Sequence, residues 1–248
     1  MSCLTLHLLG SGASLHPHRS QPAVALEYGG YVVLIDAGCA APQRLEALGL
    51  PPIPDAILLT HKHYDHLCGL PMMAFIASFR GGILTVYGEE EAIGLASELV
   101  GLASISSSSR VEASFTPVKP GGSIVVGPFR IEAFEAKHSV PALSYQLEAG
   151  DLRILVSGDT RPTTSFRERA KQAHAALHEA TLPSTLTDKA VKTGHSTVEE
   201  AIAQVSSAEV GILYHLTVES EREALRAPQG ARGSRVVVAP EPVTIKIC

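Results

Sequence analysis

Short apolar runs, separated by glycine, proline and polar clusters, are the main pattern along the chain, and they predict a protein rich in β-strands. In the first half of the chain the predicted strands are Leu4 to Leu9, Val24 to Tyr28, Tyr31 to Ile35, Ala56 to Leu59, Ile83 to Tyr87 and Val111 to Phe115. In the second half they are Ser123 to Val126, Phe129 to Glu135, Leu143 to Glu148, Arg153 to Ser157, Ala175 to Leu177, Gly211 to Tyr214, Val236 to Val238 and Val243 to Ile247. The dipeptide Gly29-Gly30 predicts a tight hairpin between two of these strands.

Longer apolar patterns between some of the strands predict helices. One apolar helix is expected to begin near His66, and Glu89 to Leu102 has a helical pattern with acidic residues at its start, where they favour the helix dipole. Further predicted segments are short helices before the strands at Ala175 and Gly211, a flexible loop at Ser106 to Ser109 and a surface helix at Val218 to Glu223. Many strands with helices between them favour an α/β fold in which two sheets pack together with helices outside. No linker divides the chain, so we expect one domain over residues 1–248.

Composition excludes some classes of protein. The net charge of −5 argues against binding nucleic acid by bulk charge. No stretch resembles a membrane span, and the amino terminus lacks the basic start of a signal peptide, so we expect a cytoplasmic protein that does not bind membranes. The cysteines, Cys3, Cys39, Cys68 and Cys248, form no CxxC pair, and in that compartment we expect them to be reduced and buried.

The richest chemistry lies in the segment from Thr60 to His66, directly after the apolar run that ends at Leu59. His61 and His63 are two residues apart in an extended loop and can point to one side, while Asp65 and His66 fall on the next turn and can point to another. One loop can therefore supply ligands to two metal ions. Imidazole with carboxylate suits zinc, manganese or iron. The alternative is a solvated histidine-rich loop.

Three later loops carry further candidate ligands after predicted strands, namely His138, Asp159 and His215. Each has an ordinary alternative, as a surface histidine, a helix cap or a polar residue at a strand end. Together with the first loop they give seven candidate metal ligands: His61, His63, Asp65, His66, His138, Asp159 and His215. That number suits two metals about 3.5–4 Å apart that share one carboxylate and leave positions open for water. The similar strand ends before His61 and His215 also suggest a loosely duplicated architecture.

Several motifs resemble those of the metallo-β-lactamase-fold hydrolases, and within them the ribonuclease Z-like branch. They are Gly10-Ser11-Gly12 with Pro17 and Arg19, Ile35-Asp36-Ala37-Gly38, the HxHxDH motif His61 to His66, Ser157-Gly158-Asp159-Thr160-Arg161-Pro162, His178-Glu179-Ala180-Thr181 and Gly194-His195-Ser196-Thr197. The matches extend from about residue 8 to residue 216. The resemblance implies an αββα sandwich of two mixed β-sheets with outer helices, two divalent metals (Zn²⁺, with Mn²⁺ as the alternative) and a homodimer.

The resemblance also implies a role for each site residue. His61, His63 and His138 would hold one metal, Asp65, His66 and His215 the other, and Asp159 would bridge the two, with Asp36 supporting the metal loop. His195 would protonate the leaving oxygen, and Glu179 would orient the imidazole of His195 or tune the pKa of that imidazole. The two metals would generate a bridging hydroxide that attacks a phosphodiester, and Asp65 would accept a proton from that water.

Some features depart from the ribonuclease Z pattern. Little more than two predicted strands joins His138 to Asp159, which leaves no room for a tRNA-binding arm. Tyr64 stands where that branch usually has glycine, and the residues after His215 lack its serine and arginine-tyrosine. Lys62, Lys137 and Arg161 flank candidate ligands; they could steer an anion or could be solvated surface charges.

These departures favour a phosphodiesterase that hydrolyses a small substrate such as a cyclic nucleotide. The first alternative is a ribonuclease Z-type tRNA 3′ endonuclease, with RNA as partner. The second is a metal-dependent ester, thioester or lactone hydrolase. From a different class, a metal-stabilised binding module is disfavoured because a structural zinc needs only four closed ligands.

Overall fold

Two mixed β-sheets face each other in the structure, a computed structural model that describes residues 3–103, 111–227, 235–238 and 241–248. Within these residues the first sheet contains β1 (Leu4–Gly10), β2 (Ala23–Tyr28), β3 (Tyr31–Ile35), β4 (Ala56–Leu59), β5 (Ile83–Gly88), β6 (Glu112–Pro117) and β14 (Val243–Ile247). Its strand order is β14-β1-β2-β3-β4-β5-β6. The pairs from β14 to β3 are antiparallel, and those from β3 to β6 are parallel.

The second sheet repeats this plan. It contains β7 (Ser123–Val126), β8 (Phe129–Glu135), β9 (Leu143–Ala149), β10 (Leu152–Val156), β11 (Ala175–Glu179), β12 (Val210–Tyr214) and β13 (Arg235–Val238). The order is β13-β12-β11-β10-β9-β8-β7, antiparallel from β7 to β10 and parallel from β10 to β13. The common pattern agrees with a duplicated architecture. However, the strand that corresponds to β4 is β11. His61 follows β4 but His215 follows β12, so the two strand ends are not equivalent.

Helices cover the outer faces of both sheets. They are α1 (Ala41–Ala47), α2 (Leu70–Arg80), α3 (Glu90–Leu102), α4 (Thr164–Ala170), α5 (Thr187–Thr193), α6 (Val198–Val205) and α7 (Val218–Ala224). One apolar core lies between the sheets around Phe129 and Tyr145. A second lies under α1 to α3, and a third under α4, α6 and α7. Because the middle of each sheet is covered on both faces, a central parallel strand such as β4 is apolar and buried throughout. The predicted αββα sandwich is confirmed.

The predicted strands all occur, with small shifts at their ends. Gly29 and Gly30 have φ values of 60° and 84° and form the hairpin between β2 and β3. Glu89 precedes α3 rather than beginning it, because its carboxylate accepts hydrogen bonds from the backbone N–H of Glu91 and Ala92. The sequence pattern did not predict α1 or α5, and the predicted loop at 106–109 lies outside the described residues. No helix among the described residues is long and apolar enough to cross a membrane.

The cysteines differ from the prediction, because the structure joins them in two disulfides. Cys3 and Cys248 lie at the ends of β1 and β14, whose antiparallel register brings their Cα atoms to 4.4 Å. Cys39, after β3, pairs with Cys68, after the metal loop. Spacing along the chain could not show either pair, since both depend on how the strands and loops meet.

Candidate metal centre

The candidate site residues gather at one edge of the sandwich, because the strands that precede them end there. Strands β8 and β10 run in the same direction as the parallel strands of their sheet, so β8, β10, β11 and β12 all have their carboxyl ends at one edge. Strands β3 and β4 of the first sheet end opposite them. The loops that leave these strands carry all seven predicted ligands, and the structure brings the seven together.

The first cluster is formed by His61, His63 and His138. The Nδ1 atom of His63 lies 2.9 Å from Nε2 of His61 and 3.1 Å from Nε2 of His138. An oxygen of Asp159, Oδ2, lies 3.7 Å from Nε2 of His61. These ligand atoms are all within 4.8 Å of one another, which is close enough to surround one ion.

The second cluster is formed by Asp65, His66 and His215. The Nε2 atoms of His66 and His215 are 3.3 Å apart, and Oδ2 of Asp65 lies 3.5 Å from Nε2 of His215. Asp159 belongs to both clusters, since its Oδ2 is 3.5 Å from Nε2 of His66 and its Oδ1 is 3.4 Å from Nε2 of His215. This geometry matches the division of ligands that the family resemblance implies.

Asp36 and Thr60 decide which ring nitrogen of two histidines carries hydrogen. The Thr60 hydroxyl donates its single hydrogen to the carboxylate of Asp36, so it must accept from Nδ1 of His61 at 2.9 Å. The same carboxylate accepts from Nδ1 of His66 at 2.7 Å. In both rings Nδ1 is therefore the donor, and Nε2 faces the cluster.

The second sheet fixes two more histidines in the same way. The hydroxyl of Thr181 donates to Glu179 at 2.7 Å and accepts from Nδ1 of His215 at 2.9 Å. Nδ1 of His138 donates to the carbonyl of Gly194 at 2.8 Å. Their Nε2 atoms thus also carry lone pairs that point into the site.

This donor set fits divalent cations. When neutral, His66 and His215 point lone pairs at each other, which is repulsive unless a positive charge lies between them. Within the part of the chain that the structure describes, the buried Oδ1 of Asp159 has no hydrogen-bond donor. Burial lowers the pKa of His66, but the carboxylates of Asp36 and Asp159 outweigh burial and raise it well above its usual range. The carboxylates around His66 therefore favour a positive charge at this place, which a bound metal would supply.

His195 lies beside both clusters and is hydrogen-bonded to Glu179. Its Nδ1 donates to Oε1 of Glu179 at 2.9 Å and is 3.9 Å from Oδ2 of Asp159. Burial lowers the pKa of His195, but the charge and hydrogen bond of Glu179 raise it, with a net value of about 9. Glu179 is itself buried and held by the backbone N–H groups of Thr160 and Thr181. Glu179 therefore favours the protonated imidazole, in which Nδ1 donates to this carboxylate and Nε2 carries the second hydrogen.

The rim of the site contains Ser14 and Leu15, which the sequence did not identify, as well as Tyr64, which it did. Ser14, in the loop between β1 and β2, donates a hydrogen bond of 2.8 Å to Oδ2 of Asp65. Its neighbour Leu15 is 95% exposed, and Tyr64, beside Asp65, is 62% exposed. The glycine-rich start of this loop, which the sequence does show, was the available signal. We call these two exposed side chains, which are sequence neighbours of the hydrogen-bonded Ser14 and Asp65, the apolar rim.

Other residues near the motifs are occupied elsewhere. Lys62 pairs with Glu91, and Arg161 pairs with Glu200, so neither presents a free positive charge to the site. Lys137 is exposed. Two further residues, His16 in the loop between β1 and β2 and Cys68 just after the metal loop, contact Glu221 and Cys39 respectively.

A metal centre of this kind at the edge of an αββα sandwich defines a metal-dependent hydrolase. A sequence profile of the beta-lactamase superfamily domain matches residues 31–216, and the chain belongs to this superfamily. Ribonuclease Z of Methanopyrus kandleri is 26% identical over 285 residues, which cover 98% of this chain and 98% of that protein.

Two solved structures have the same fold. The metallo-beta-lactamase fold protein YhfI from Bacillus subtilis has a TM-score of 0.81 at 19% identity and covers 99% of this chain and 100% of its own. Human tRNase Z, short form, has a TM-score of 0.77 at 22% identity and covers 98% of this chain and 99% of its own.

Proposed function

We propose that this chain hydrolyses phosphodiester bonds in RNA with two bound divalent ions, in the manner of ribonuclease Z. The observation that carries the proposal is the position of His195, which Glu179 holds beside two clusters of ligands that share Asp159. A positive cluster with a proton donor at its edge suits a reaction in which an anionic phosphodiester loses an alkoxide. The similarity to ribonuclease Z of Methanopyrus kandleri, which covers nearly the whole chain, supports RNA as the substrate.

The proposed ligands are His61, His63 and His138 for one ion and Asp65, His66 and His215 for the other, with Asp159 shared. Zinc is the proposed metal because imidazole predominates among the ligands. When bound, the ions would lower the pKa of water and neutralise the phosphodiester.

The protein's own residues would handle the protons. Asp65, which Ser14 holds in place, would accept a proton from the attacking water. His195 would donate the proton on Nε2 to the leaving oxygen, because its Nδ1 is held by Glu179. Glu179 would keep the ring in position and protonated.

A small phosphodiester is a second candidate, and one observation favours it. Between His138 and Asp159 the chain forms only the β9–β10 hairpin, so nothing there projects to hold a tRNA. The rim of Leu15 and Tyr64 could instead hold the base of a cyclic nucleotide. We therefore keep this substrate in the test, together with a lactone.

The test is a hydrolysis screen of protein loaded with zinc or manganese. The substrates are a precursor tRNA, a cyclic nucleotide, bis(p-nitrophenyl) phosphate and a lactone. The variant Asp159→Asn removes the shared carboxylate charge at nearly constant shape, and Asp188→Asn makes the same change at an exposed position.

We expect site-specific cleavage of the precursor tRNA that requires metal, is lost in Asp159→Asn and is kept in Asp188→Asn. Turnover of the cyclic nucleotide without tRNA cleavage would replace RNA by the small substrate. Hydrolysis of the lactone alone would overturn the phosphodiesterase proposal, as would equal activity of Asp159→Asn and the unmodified chain.

A further inference from the structure

The loop that carries His195 is fixed to its neighbours at three consecutive residues. The carbonyl of Gly194 accepts from Nδ1 of His138 at 2.8 Å, and the Ser196 hydroxyl donates to the carbonyl of Thr160 at 2.7 Å. Between them, the carbonyl of His195 itself accepts from a guanidinium nitrogen, Nη1 of Arg161, at 2.6 Å. The backbone of His195 is thus tied to the segment that follows Asp159.

Arg161 owes its direction to Glu200, near the start of α6. Nη1 donates to Oε2 of Glu200 at 2.8 Å, and Nη2 donates to Oε1. Oε2 also accepts from the backbone N–H of Thr197 at 2.9 Å, while Thr197 Oγ1 accepts from the backbone N–H of Glu200. This reciprocal cap fixes the glutamate. The planar guanidinium then has one orientation, since both of its outer nitrogens are bonded.

We propose that the Arg161–Glu200 pair is a positioning device for His195, so that the start of α6 determines where the proton donor sits. The inference rests on the proposed function, in which His195 protonates the leaving oxygen. Glu179 holds the ring of His195 and Arg161 holds its backbone carbonyl, so this residue is fixed at two points.

Two other roles for the pair fit the contacts less well. A residue that steers anions needs free charge, and the charge of Arg161 is matched by a carboxylate at hydrogen-bond distance. A pair that only adds stability has no need of a third contact to the carbonyl of a site histidine, and ion pairs that are partly exposed to solvent usually add little. The bond from Nη1 to the His195 carbonyl is what distinguishes this pair.

The chain offers a matched control in the pair formed by Arg169 and Glu132. It is also bidentate, with distances of 2.6 and 3.0 Å, and its side chains are 26% and 40% exposed, against 20% and 25% for Arg161 and Glu200. It joins α4 to β8, and none of the contacts that the structure describes for it reaches a site residue. Glu200→Gln and Glu132→Gln therefore make the same chemical change in similar surroundings.

The experiment compares two esters of one nucleotide, a p-nitrophenyl phosphodiester and an alkyl phosphodiester. The p-nitrophenolate leaves without a proton, whereas the alkoxide needs one. We expect Glu200→Gln to lower kcat for the alkyl ester about 10- to 100-fold, with KM little changed, because small displacements of a catalytic group have effects of this size. The nitrophenyl ester should change less than about 3-fold by the same reasoning. Arg161→Lys, which keeps the charge but loses the fork, should behave like Glu200→Gln.

Two further measurements separate positioning from general damage. Zinc affinity, measured by competition with a chromophoric chelator, should be unchanged in Glu200→Gln. The ring ¹H–¹⁵N signals of His195, assigned by their loss in His195→Gln, should shift in Glu200→Gln and not in Glu132→Gln.

Equal losses on both esters, weaker zinc binding or unmoved His195 signals would each overturn the inference. If the unmodified chain cleaves neither ester, the precursor tRNA still decides the proposed function, and the His195 signals decide whether the pair positions this ring.

Discussion

Replacing Asp36 by asparagine should weaken metal binding although Asp36 is not itself a candidate ligand. The buried carboxylate of Asp36 accepts from Nδ1 of His66 at 2.7 Å and from the backbone N–H of Thr60 at 2.9 Å, on different oxygens. Asparagine has one acceptor and one donor at the same positions. Either orientation therefore places an NH₂ group against one of these two donors.

Each orientation has a definite consequence. If the NH₂ group faces Thr60, a buried N–H loses its acceptor, at a cost to the free energy of unfolding of about 1–3 kcal/mol. If it faces His66, Nδ1 becomes the acceptor and the hydrogen moves to Nε2, the atom that should bind the metal. Loss of such a supporting carboxylate typically weakens metal binding about 10- to 100-fold.

The assay measures zinc affinity by chelator competition and the free energy of unfolding by urea denaturation with and without metal. The matched control is Asp55→Asn, because Asp55 lies in the same half of the molecule and accepts one bond of 2.7 Å, from the backbone N–H of Val32. We expect weaker zinc binding only in Asp36→Asn. Zinc affinity and stability that are both unchanged would refute the argument, since either orientation of the amide takes the acceptor away from one of the two donors.

Two further predictions concern the proton donor and the disulfides. In Glu179→Gln the pKa of His195 should fall from about 9, because the charge that raises it is gone. Since the donor must be protonated, the alkaline limb of the kcat/KM profile should move to lower pH. An unmoved limb would show that His195 is not the donor. The disulfide of Cys3 and Cys248 closes a loop of 245 residues, so replacing both by serine should lower the free energy of unfolding, by up to about 5 kcal/mol from loop entropy. Alkylation of the unfolded, unreduced protein should find no thiol there, and a labelled Cys3 would contradict the pairing.

Four features expected from the sequence stay predictions. They are a single domain over residues 1–248, a homodimer, zinc as the native metal and the cytoplasmic location. The two disulfides make the location a useful measurement, because such bonds are rare in reducing compartments.

The sequence by itself determined the strands and the chemistry of the metal loop. Apolar runs such as the one ending at Leu59 form strands because they bury both faces, and that depends only on local composition. The loop directly after β4 contains His61, His63, Asp65 and His66. Their spacing already indicates which of them can share an ion. The resemblance then named His138, Asp159 and His215.

Only the tertiary structure decided how distant residues meet. His66 and His215 are separated by 149 positions and lie 3.3 Å apart, a contact that depends on strand order and on the packing of two sheets. The hydroxyls of Thr60 and Thr181, the Arg161–Glu200 pair and the cysteine pairs arise in the same way. Hydrophobic periodicity encodes which face of an element is buried, but not which element that face meets.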